Sequence, residues 1–182
     1  MNIIFEKARP SHEAAVAAWL AEPHMKEFWD NSPEHFEDIK IFMGGRTVPS
    51  PYFGGMFSYW IGLINHEPYS LIMTHEENHD TDPPDYFKPY LSKTGKTIGL
   101  DFAIGNPKYF GKGLAAPTLT AFMDYFKHEI EPDVETYLID PATTNPRSIH
   151  VYQKAGFVIM SEFTQDGGCF NQSKCLLMVK KV

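Results

Sequence analysis

Gly105-Asn-Pro-Lys-Tyr-Phe-Gly-Lys-Gly-Leu-Ala-Ala116 joins two patterned segments, and how it is read decides the fold. Upstream, Thr97–Ile104 (TIGLDFAI) alternates, with Ile98, Leu100, Phe102 and Ile104 on one face and Gly99, Asp101 and Ala103 on the other, so a strand is predicted. Downstream, Leu119, Phe122, Met123 and Phe126 recur at helical spacing and predict an amphipathic helix of about four turns. A strand, a glycine loop and a helix in that order suit an anion. The glycines let the backbone approach closely, and the first-turn N–H groups point at the charge. Pro117 is expected to remove one donor and kink the helix while sparing the donors at Lys112–Leu114.

Two common anion cradles do not fit. A Walker A loop requires four residues between its glycines and a hydroxyl after Gly-Lys. Here five residues separate Gly105 from Gly111, and Gly113 stands at the hydroxyl position. Gly111–Ala116 does match the dinucleotide spacing, and Asp140 ends the next expected strand. However, Gly105–Phe110 intervenes between the strand and the first glycine, and about 70 residues remain, too few for the rest of such a domain. A second patterned segment follows at Asn145–Phe157 (NPRSIHVYQKAGF). Helix chemistry accounts for Asn145 as N-cap, Pro146 at the first position and Gly156 past the end. It does not require Tyr152 or Lys154.

Taken together, Lys108–Ala115 (KYFGKGLA) and Asn145–Phe157 resemble the pyrophosphate loop and the Asn-x-x-Ala-x-x-x-Tyr-x-Lys-x-Gly-Phe signature of the GNAT superfamily of N-acetyltransferases. Lys108 stands where Arg or Gln is common, and Ser148 replaces the usual alanine. The resemblance implies an α/β, single-domain GNAT fold across residues 1–182, with a mixed, mostly antiparallel sheet flanked by helices. Residues 1–96 would form the acceptor-side half and 97–163 the acetyl-CoA-binding core. It implies acetyl-CoA as cosubstrate and no metal. Cofactor contacts are expected from Phe102, Ala103, Ile104, Lys108, Tyr109, Phe110, Gly111, Lys112, Gly113, Leu114 and Ala115. Asn145, Ser148, Tyr152 and Lys154 would add to them, with Asn145 on the pantetheine arm and Tyr152 near the sulfur.

Within the superfamily, Gly99–Phe157 is most similar to the aminoglycoside 6′-N-acetyltransferases and related small-molecule enzymes. The shared features are Gly99-Leu100-Asp101, the Gly-Lys-Gly-Leu and Asp140-Pro141, with a weaker echo in Trp19-Leu20, Trp29 and the hairpin ending near Glu76. Siderophore-pathway acyltransferases share the scaffold but carry Gly-x-His where Asp101 stands. An ammonium must lose a proton before attacking a thioester, and the departing thiolate needs a proton or stabilisation. Asp101 is the candidate for the first task and Tyr152 for the second. A solvent-facing strand carboxylate and a core-packed helix tyrosine are the structural alternatives.

Acceptor binding is assigned to Trp29, Glu76, Glu77, Asp82, Asp101 and Asp140. Asp140 also suits an Asp-Pro turn, and Glu76, Glu77, Asp80, Asp82 and Asp85 also suit a solvated loop. As a functional feature, those acids would attract a cationic acceptor. The expected function is thus transfer of acetyl to an amine of a small, cationic molecule such as an aminoglycoside. A siderophore hydroxylamine, a peptide acceptor and a silent acyl-CoA-binding module are the other readings.

The remaining features set limits. A chain of 182 residues with 43% hydrophobic content suits one globular domain. The net charge of −7 argues against nucleic acid. No apolar run approaches membrane length, and charges at Glu6, Lys7 and Arg9 interrupt any signal-peptide core, so a cytoplasmic protein is expected. Cys169 and Cys175 are expected as free, buried thiols, and His75 and His79 lack a third metal ligand. Either a monomer or a homodimer fits.

Further elements are predicted on either side of the core. They are a strand at Asn2–Lys7, a helix capped by Ser11, a helix at His24–Trp29, and a helix opened by Ser32-Pro33 with Phe36, Ile39, Ile41 and Phe42 apolar. Strands at Met56–Ile64 and Tyr69–Thr74 flank a turn at Asn65–Pro68, and a polar loop runs from His75 to Lys96. Val134–Ile139 reads as a strand, Asn145–Ala155 as a helix, and Phe157–Phe163 with Lys174–Lys181 as a closing hairpin.

Overall fold

The structure, a computed structural model, describes residues 2–81 and 83–182. Among the described residues, seven strands and five α-helices follow one another as β1 (Ile3–Lys7), α1 (Glu13–Leu20), α2 (Pro23–Phe28), α3 (Pro33–Met43), β2 (Phe57–Ile64), β3 (Glu67–Glu77), β4 (Lys96–Ile104), α4 (Ala115–Tyr125), β5 (Val134–Ile139), α5 (Pro146–Lys154), β6 (Val158–Thr164) and β7 (Lys174–Lys181). The strands form one sheet in the order β1-β2-β3-β4-β5-β7-β6. β4 and β5 run parallel, while β1–β2, β2–β3, β5–β7 and β6–β7 are antiparallel, which is the mixed, mostly antiparallel sheet expected. The β4–β5 ladder runs from Lys96↔Val134 to Gly99↔Leu138.

By contact density the chain divides into two compact units, Met1–His75 with Asp101–Thr118, and Glu76–Leu100 with Leu119–Val182. In the first unit, α1–α3 cover a core built on Val16, Trp19, Met25, Ile39, Tyr59 and Leu71. The β2–β3 turn is tighter than predicted. Asn65 and His66 both adopt left-handed φ angles, 52° and 64°, as a two-residue hairpin of the twist-matched kind requires. Glu67 and Pro68 are therefore already strand, and β3 continues through His75, Glu76 and Glu77.

The other departures have local causes. Ser11 lies inside a short turn opened by Pro10, so His12, and not Ser11, precedes α1; the Arg9 N–H donates to His12 Nδ1 at 3.1 Å. Ser32 does cap α3, accepting from the His35 N–H at 3.2 Å. The buried face of α3 carries His35, Asp38, Ile39 and Met43, while Ile41 is exposed. Burial along β4 follows position along the strand. Thr97–Leu100 are buried and Asp101–Ile104 half-buried, because the start of an interior strand is covered on both faces.

In the second unit, Leu91, Leu138, Phe163, Leu177 and Val179 form a core against which Tyr86, Phe87 and Tyr90 pack. The polar loop expected at His75–Lys96 is therefore anchored by its aromatics. Pro117 falls in the first turn of α4, where an N–H has no intrahelical acceptor, so it costs the helix no bond; the Thr118 N–H donates to the Leu114 carbonyl at 2.9 Å. After Tyr125 the helix widens into a π turn, Phe126–Ile130, and the Met123 carbonyl accepts from the Tyr137 hydroxyl at 2.9 Å. Helix and π turn together give the four turns expected. Both cysteines are free thiols, Cys175 buried as expected but Cys169 exposed, because it lies in the connection between β6 and β7 and not in a strand.

Gly105 ends β4 under the indole of Trp19, where an added Cβ would run into the ring. Trp19 is 4% exposed and has no room to swing away. Gly105→Ala should therefore destabilise the fold by about 1–3 kcal/mol in chemical denaturation. Part of that loss should return in a Trp19→Leu background, whereas additive losses would mean the two residues do not meet.

Candidate active site

The glycine loop is held at both ends by β3. The Tyr69 carbonyl accepts from the N–H groups of Gly105 and Asn106, at 2.9 and 3.1 Å. Lys108 and the Tyr109 hydroxyl both reach the Glu67 carboxylate, each at 2.6 Å. These two bonds pull the Glu67 carboxyl below its ordinary range. At the far end, Thr118 Oγ1 donates to the Leu114 carbonyl at 2.7 Å. Its single proton is thereby committed, so the Tyr69 hydroxyl, 2.7 Å away, donates to it. Leu114 is buried beside Tyr69 and Tyr109.

Between these anchors, Gly111, Lys112 and Gly113 are exposed. Gly111 and Gly113 take φ angles of 69° and 68°, with nothing within 4 Å of an added Cβ. Among the described residues, no carbonyl accepts from the N–H groups of Gly111 to Leu114. Alternating left-handed backbone at the start of a helix turns such groups toward one point, an arrangement that binds anions. The Lys112 ammonium lies 5.4 Å from the Tyr109 ring centroid. Of the expected cofactor residues, Lys108 and Tyr109 are thus tied to Glu67 and Leu114 to the core, while Gly111–Gly113 face outward. Phe110, 41% exposed, meets the ring of His24 edge-on at 4.7 Å, and His24 Nε2 is 2.9 Å from the Ile104 carbonyl. Phe102 and Ala103 are half-buried on β4, and Ala115 opens α4.

Asp101 is half-buried in the first unit. Burial pushes its carboxyl above the ordinary range, and His75 and His35 oppose that shift. His75 stacks on Phe57 at 4.6 Å, and Phe57 on Phe53 at 4.3 Å. His35 lies parallel to the rings of Trp29 and Tyr52, with centroids 6.2 and 5.6 Å away. Trp29 is buried, and its indole nitrogen has no hydrogen-bond partner among the described residues. Trp29 and Asp101, assigned on sequence to acceptor binding, thus share His35 as a neighbour. Behind His35, Asp38 is paired with Arg46, both nearly inaccessible, and accepts from Ser50 at 2.7 Å and Tyr59 at 2.9 Å.

Sequence reading passed over His35 and the Asp38–Arg46 pair, and weighed His75 only as a metal ligand. The available signal was helical spacing, since His35 and Asp38 lie on the same stripe of α3 as Ile39 and Met43.

The second unit holds the other candidates. Asn145 caps α5, its side-chain oxygen accepting from the Ser148 N–H at 3.1 Å. Tyr152 is buried with its ring 6.2 Å from Phe157, and Lys154 is exposed. Glu76 is drawn to Lys96 at 3.2 Å, and Lys96 also pairs with Glu131 at 2.7 Å. Glu77 ends β3, half-buried. Asp140 follows β5 and helps burial raise the pKa values of Tyr86 and Cys175, the latter to about 11. Asp82 lies outside the described residues. Among the described residues no group of three His, Cys, Asp or Glu side chains comes together to hold a metal ion. Among the described residues, no helix is long and apolar enough to cross a membrane.

The Tyr69 hydroxyl ties β3 to the first turn of α4. Tyr69→Phe leaves the buried Thr118 oxygen without its donor, and should cost about 1–2 kcal/mol with an unchanged denaturant slope. An unshifted denaturation midpoint would show that the bond holds nothing.

Comparison with known proteins places this geometry in a family. An acetyltransferase (GNAT) domain model matches residues 10–165. An aminoglycoside N(6′)-acetyltransferase type 1 of Klebsiella pneumoniae is 23% identical over 163 residues, covering 85% of this chain and 73% of that protein. The crystal structure of an aminoglycoside N(6′)-acetyltransferase from Legionella pneumophila superposes with a TM-score of 0.73 at 24% identity, covering 98% of this chain and 92% of the other. The acetyltransferase AAC(6′)-Ib, solved with coenzyme A and kanamycin, superposes with a TM-score of 0.73 at 21% identity, covering 99% and 95%. These structures share the fold, and the domain match spans most of the chain, so the protein belongs to the GNAT acetyltransferase family.

Proposed function

We propose that the chain is an acetyl-CoA-dependent N-acetyltransferase acting on an amine of a small cationic acceptor, with the 6′-amine of an aminoglycoside the first to test. The observation that carries the reading is the exposed Gly111-Lys112-Gly113 backbone, left-handed at both glycines and with its N–H groups uncommitted. That cradle fits a pyrophosphate, and Lys112 adds a cation beside it. A side chain at either glycine would occupy the open space in front of the loop. The kinship with aminoglycoside acetyltransferases supports the choice of acceptor.

Acetyl-CoA supplies the activated acyl group as a thioester. Asp101 holds the acceptor ammonium and takes one of its protons, so that the neutral nitrogen attacks the thioester carbonyl carbon. Its partial burial weakens competition from water for that proton. As the C–N bond forms and the C–S bond breaks, Tyr152 gives its hydroxyl proton to the departing sulfur. The nitrogen's second proton leaves through solvent and restores Tyr152. Trp29 walls the acceptor, and Glu76, Glu77, Asp82 and Asp140 are the proposed partners for its further amino groups.

Release of CoA thiol from acetyl-CoA, across aminoglycosides, polyamines and hydroxylamines, tests the reading. Turnover with aminoglycosides that vanishes when the 6′ position lacks an amine is expected, and silence across the panel would contradict it. Asp101→Asn should lower kcat by about 100-fold or more with acetyl-CoA affinity nearly constant; near-normal turnover would remove Asp101 from the chemistry. Gly113→Val should cost about 1–2 kcal/mol of stability through its left-handed backbone and abolish acetyl-CoA binding. Unchanged binding would refute the cradle.

A further inference from the structure

Asp30 is an acid set among aromatic rings. Its Oδ1 accepts from the Ser32 N–H at 3.1 Å and its Oδ2 from the Tyr52 hydroxyl at 2.6 Å. His35 Nδ1 lies 3.7 Å from Oδ2, but it is 2.6 Å from the Asp30 backbone carbonyl, which only accepts, so the proton of that nitrogen is committed there. Among the described residues, no lysine or arginine reaches the carboxyl group. Burial would raise its pKa, but the bonds from Tyr52 and Ser32 outweigh that and hold it below the ordinary range. A carboxylate offers about four acceptor positions, and these two bonds leave others open. The side chain is 12% exposed, so a ligand can reach it.

The neighbouring loop holds two rings in solvent. Tyr52 and Phe53 are 38% and 37% exposed, and Val48 and Met56 are exposed beside them in the chain. The loop is nevertheless well ordered. Buried Ser50 accepts from the N–H groups of Tyr52 and Phe53 at 3.1 and 3.0 Å, and donates to Asp38 at 2.7 Å. The Ser50 N–H donates to the Gly55 carbonyl at 2.7 Å, and its carbonyl accepts from Gly54 at 2.8 Å. His35 lies parallel to Tyr52 at 5.6 Å, and Phe57 stacks on Phe53 at 4.3 Å. Tyr52 and Phe53 meet at 77° with centroids 4.7 Å apart, a fixed corner with Asp30 at the hydroxyl end of Tyr52. Rings held in water by an ordered loop suit a ligand that covers them. The carboxylate asks for positive charge, and aromatic faces attract it too.

We propose that Asp30, Tyr52 and Phe53 anchor the acceptor by a second, non-reacting ammonium group, carried on a saturated ring whose C–H face lies against the two aromatic rings. The class of ligand is an aminocyclitol or amino sugar. A flexible polyamine offers the charge without the flat face, and a neutral cyclitol offers the face without the charge. The inference deepens the acetyltransferase reading and rests on it for the ligand being the acceptor. These residues lie in the same unit as Asp101, and the stacked row Phe53, Phe57 and His75 leads from them to β3, the neighbour of β4. They bind and orient; the proton remains the task of Asp101.

Aromatic 1H–13C spectra of the full chain test this without turnover. The diaminocyclitol 2-deoxystreptamine should shift the Tyr52 and Phe53 ring signals saturably. Its uncharged counterpart myo-inositol should leave them unmoved, and spermidine should bind about tenfold more weakly or worse. Equal affinity for either of those two probes, or no shift with 2-deoxystreptamine, overturns the proposal. Asp30→Asn, which keeps the shape and removes the charge, should raise the Kd for 2-deoxystreptamine about tenfold. An unchanged Kd overturns the role of the carboxylate. Should that variant fail to fold, Phe53→Ala at its exposed position decides, with affinity about fivefold weaker if the corner binds and unchanged if it does not. In the active enzyme, Asp30→Asn should raise the acceptor KM and leave kcat nearly constant, whereas a fall in kcat at constant KM contradicts anchoring. Ring shifts without acetylation of any amine would sink the functional reading alone. Turnover of an acceptor that leaves the ring signals unmoved would sink this inference alone.

Discussion

One buried tyrosine fixes where the glycine loop begins and ends. The Tyr69 carbonyl accepts from the N–H groups of Gly105 and Asn106 where β4 stops, and its hydroxyl donates to Thr118 Oγ1 where α4 starts. Glu67, two residues earlier on the same strand, takes Lys108 and Tyr109 in between. With both ends and one flank secured, the stretch left uncommitted is Gly111–Gly113. A loop presenting bare N–H groups is costly unless its flanks are over-determined, and β3 provides that. The hairpin turn at Asn65-His66 sets the register of β3, so a two-residue turn some 40 positions upstream decides how this loop is held.

The acid at Asp101 balances two opposing effects. Burial in a β-sheet interior favours the neutral carboxylic acid, while the imidazole groups of His75 and His35 favour the carboxylate. Burial wins, so the carboxyl lies above its ordinary range, which makes its carboxylate form a stronger base than an exposed one. The stacked rings of Trp29, His35 and Tyr52 and the Asp38–Arg46 pair behind them give that balance a rigid frame. Breaking the Asp38–Arg46 pair would leave an uncompensated buried charge, so the frame resists local rearrangement.

Much of the fold was legible because local rules and tertiary structure agree. Ser32 and Asn145 cap their helices as expected, Lys174–Lys181 is a strand with the predicted bounds, and the alternation of Thr97–Ile104 marks the central strand. The departures have definite causes. Pro10 opened a turn that displaced Ser11 from the cap, two left-handed residues shortened the hairpin turn, and aromatics drew a nominally polar loop into a core. At the site, glycine spacing singled out the exposed loop, but its anchor at Glu67 depends on a side-chain contact between residues 41 positions apart, which no local pattern encodes. His35 was hidden for a related reason. A histidine on an apolar stripe reads as core until its donors and acceptors can be counted.

The backbone of Gly111–Leu114 is the proposed seat of the pyrophosphate of acetyl-CoA. Titrating 15N-labelled protein with acetyl-CoA and following the backbone amides tests it most directly. Large downfield shifts at Gly111, Lys112, Gly113 and Leu114, saturating together, are the expected result. Saturable binding that leaves those four amides unmoved would contradict it.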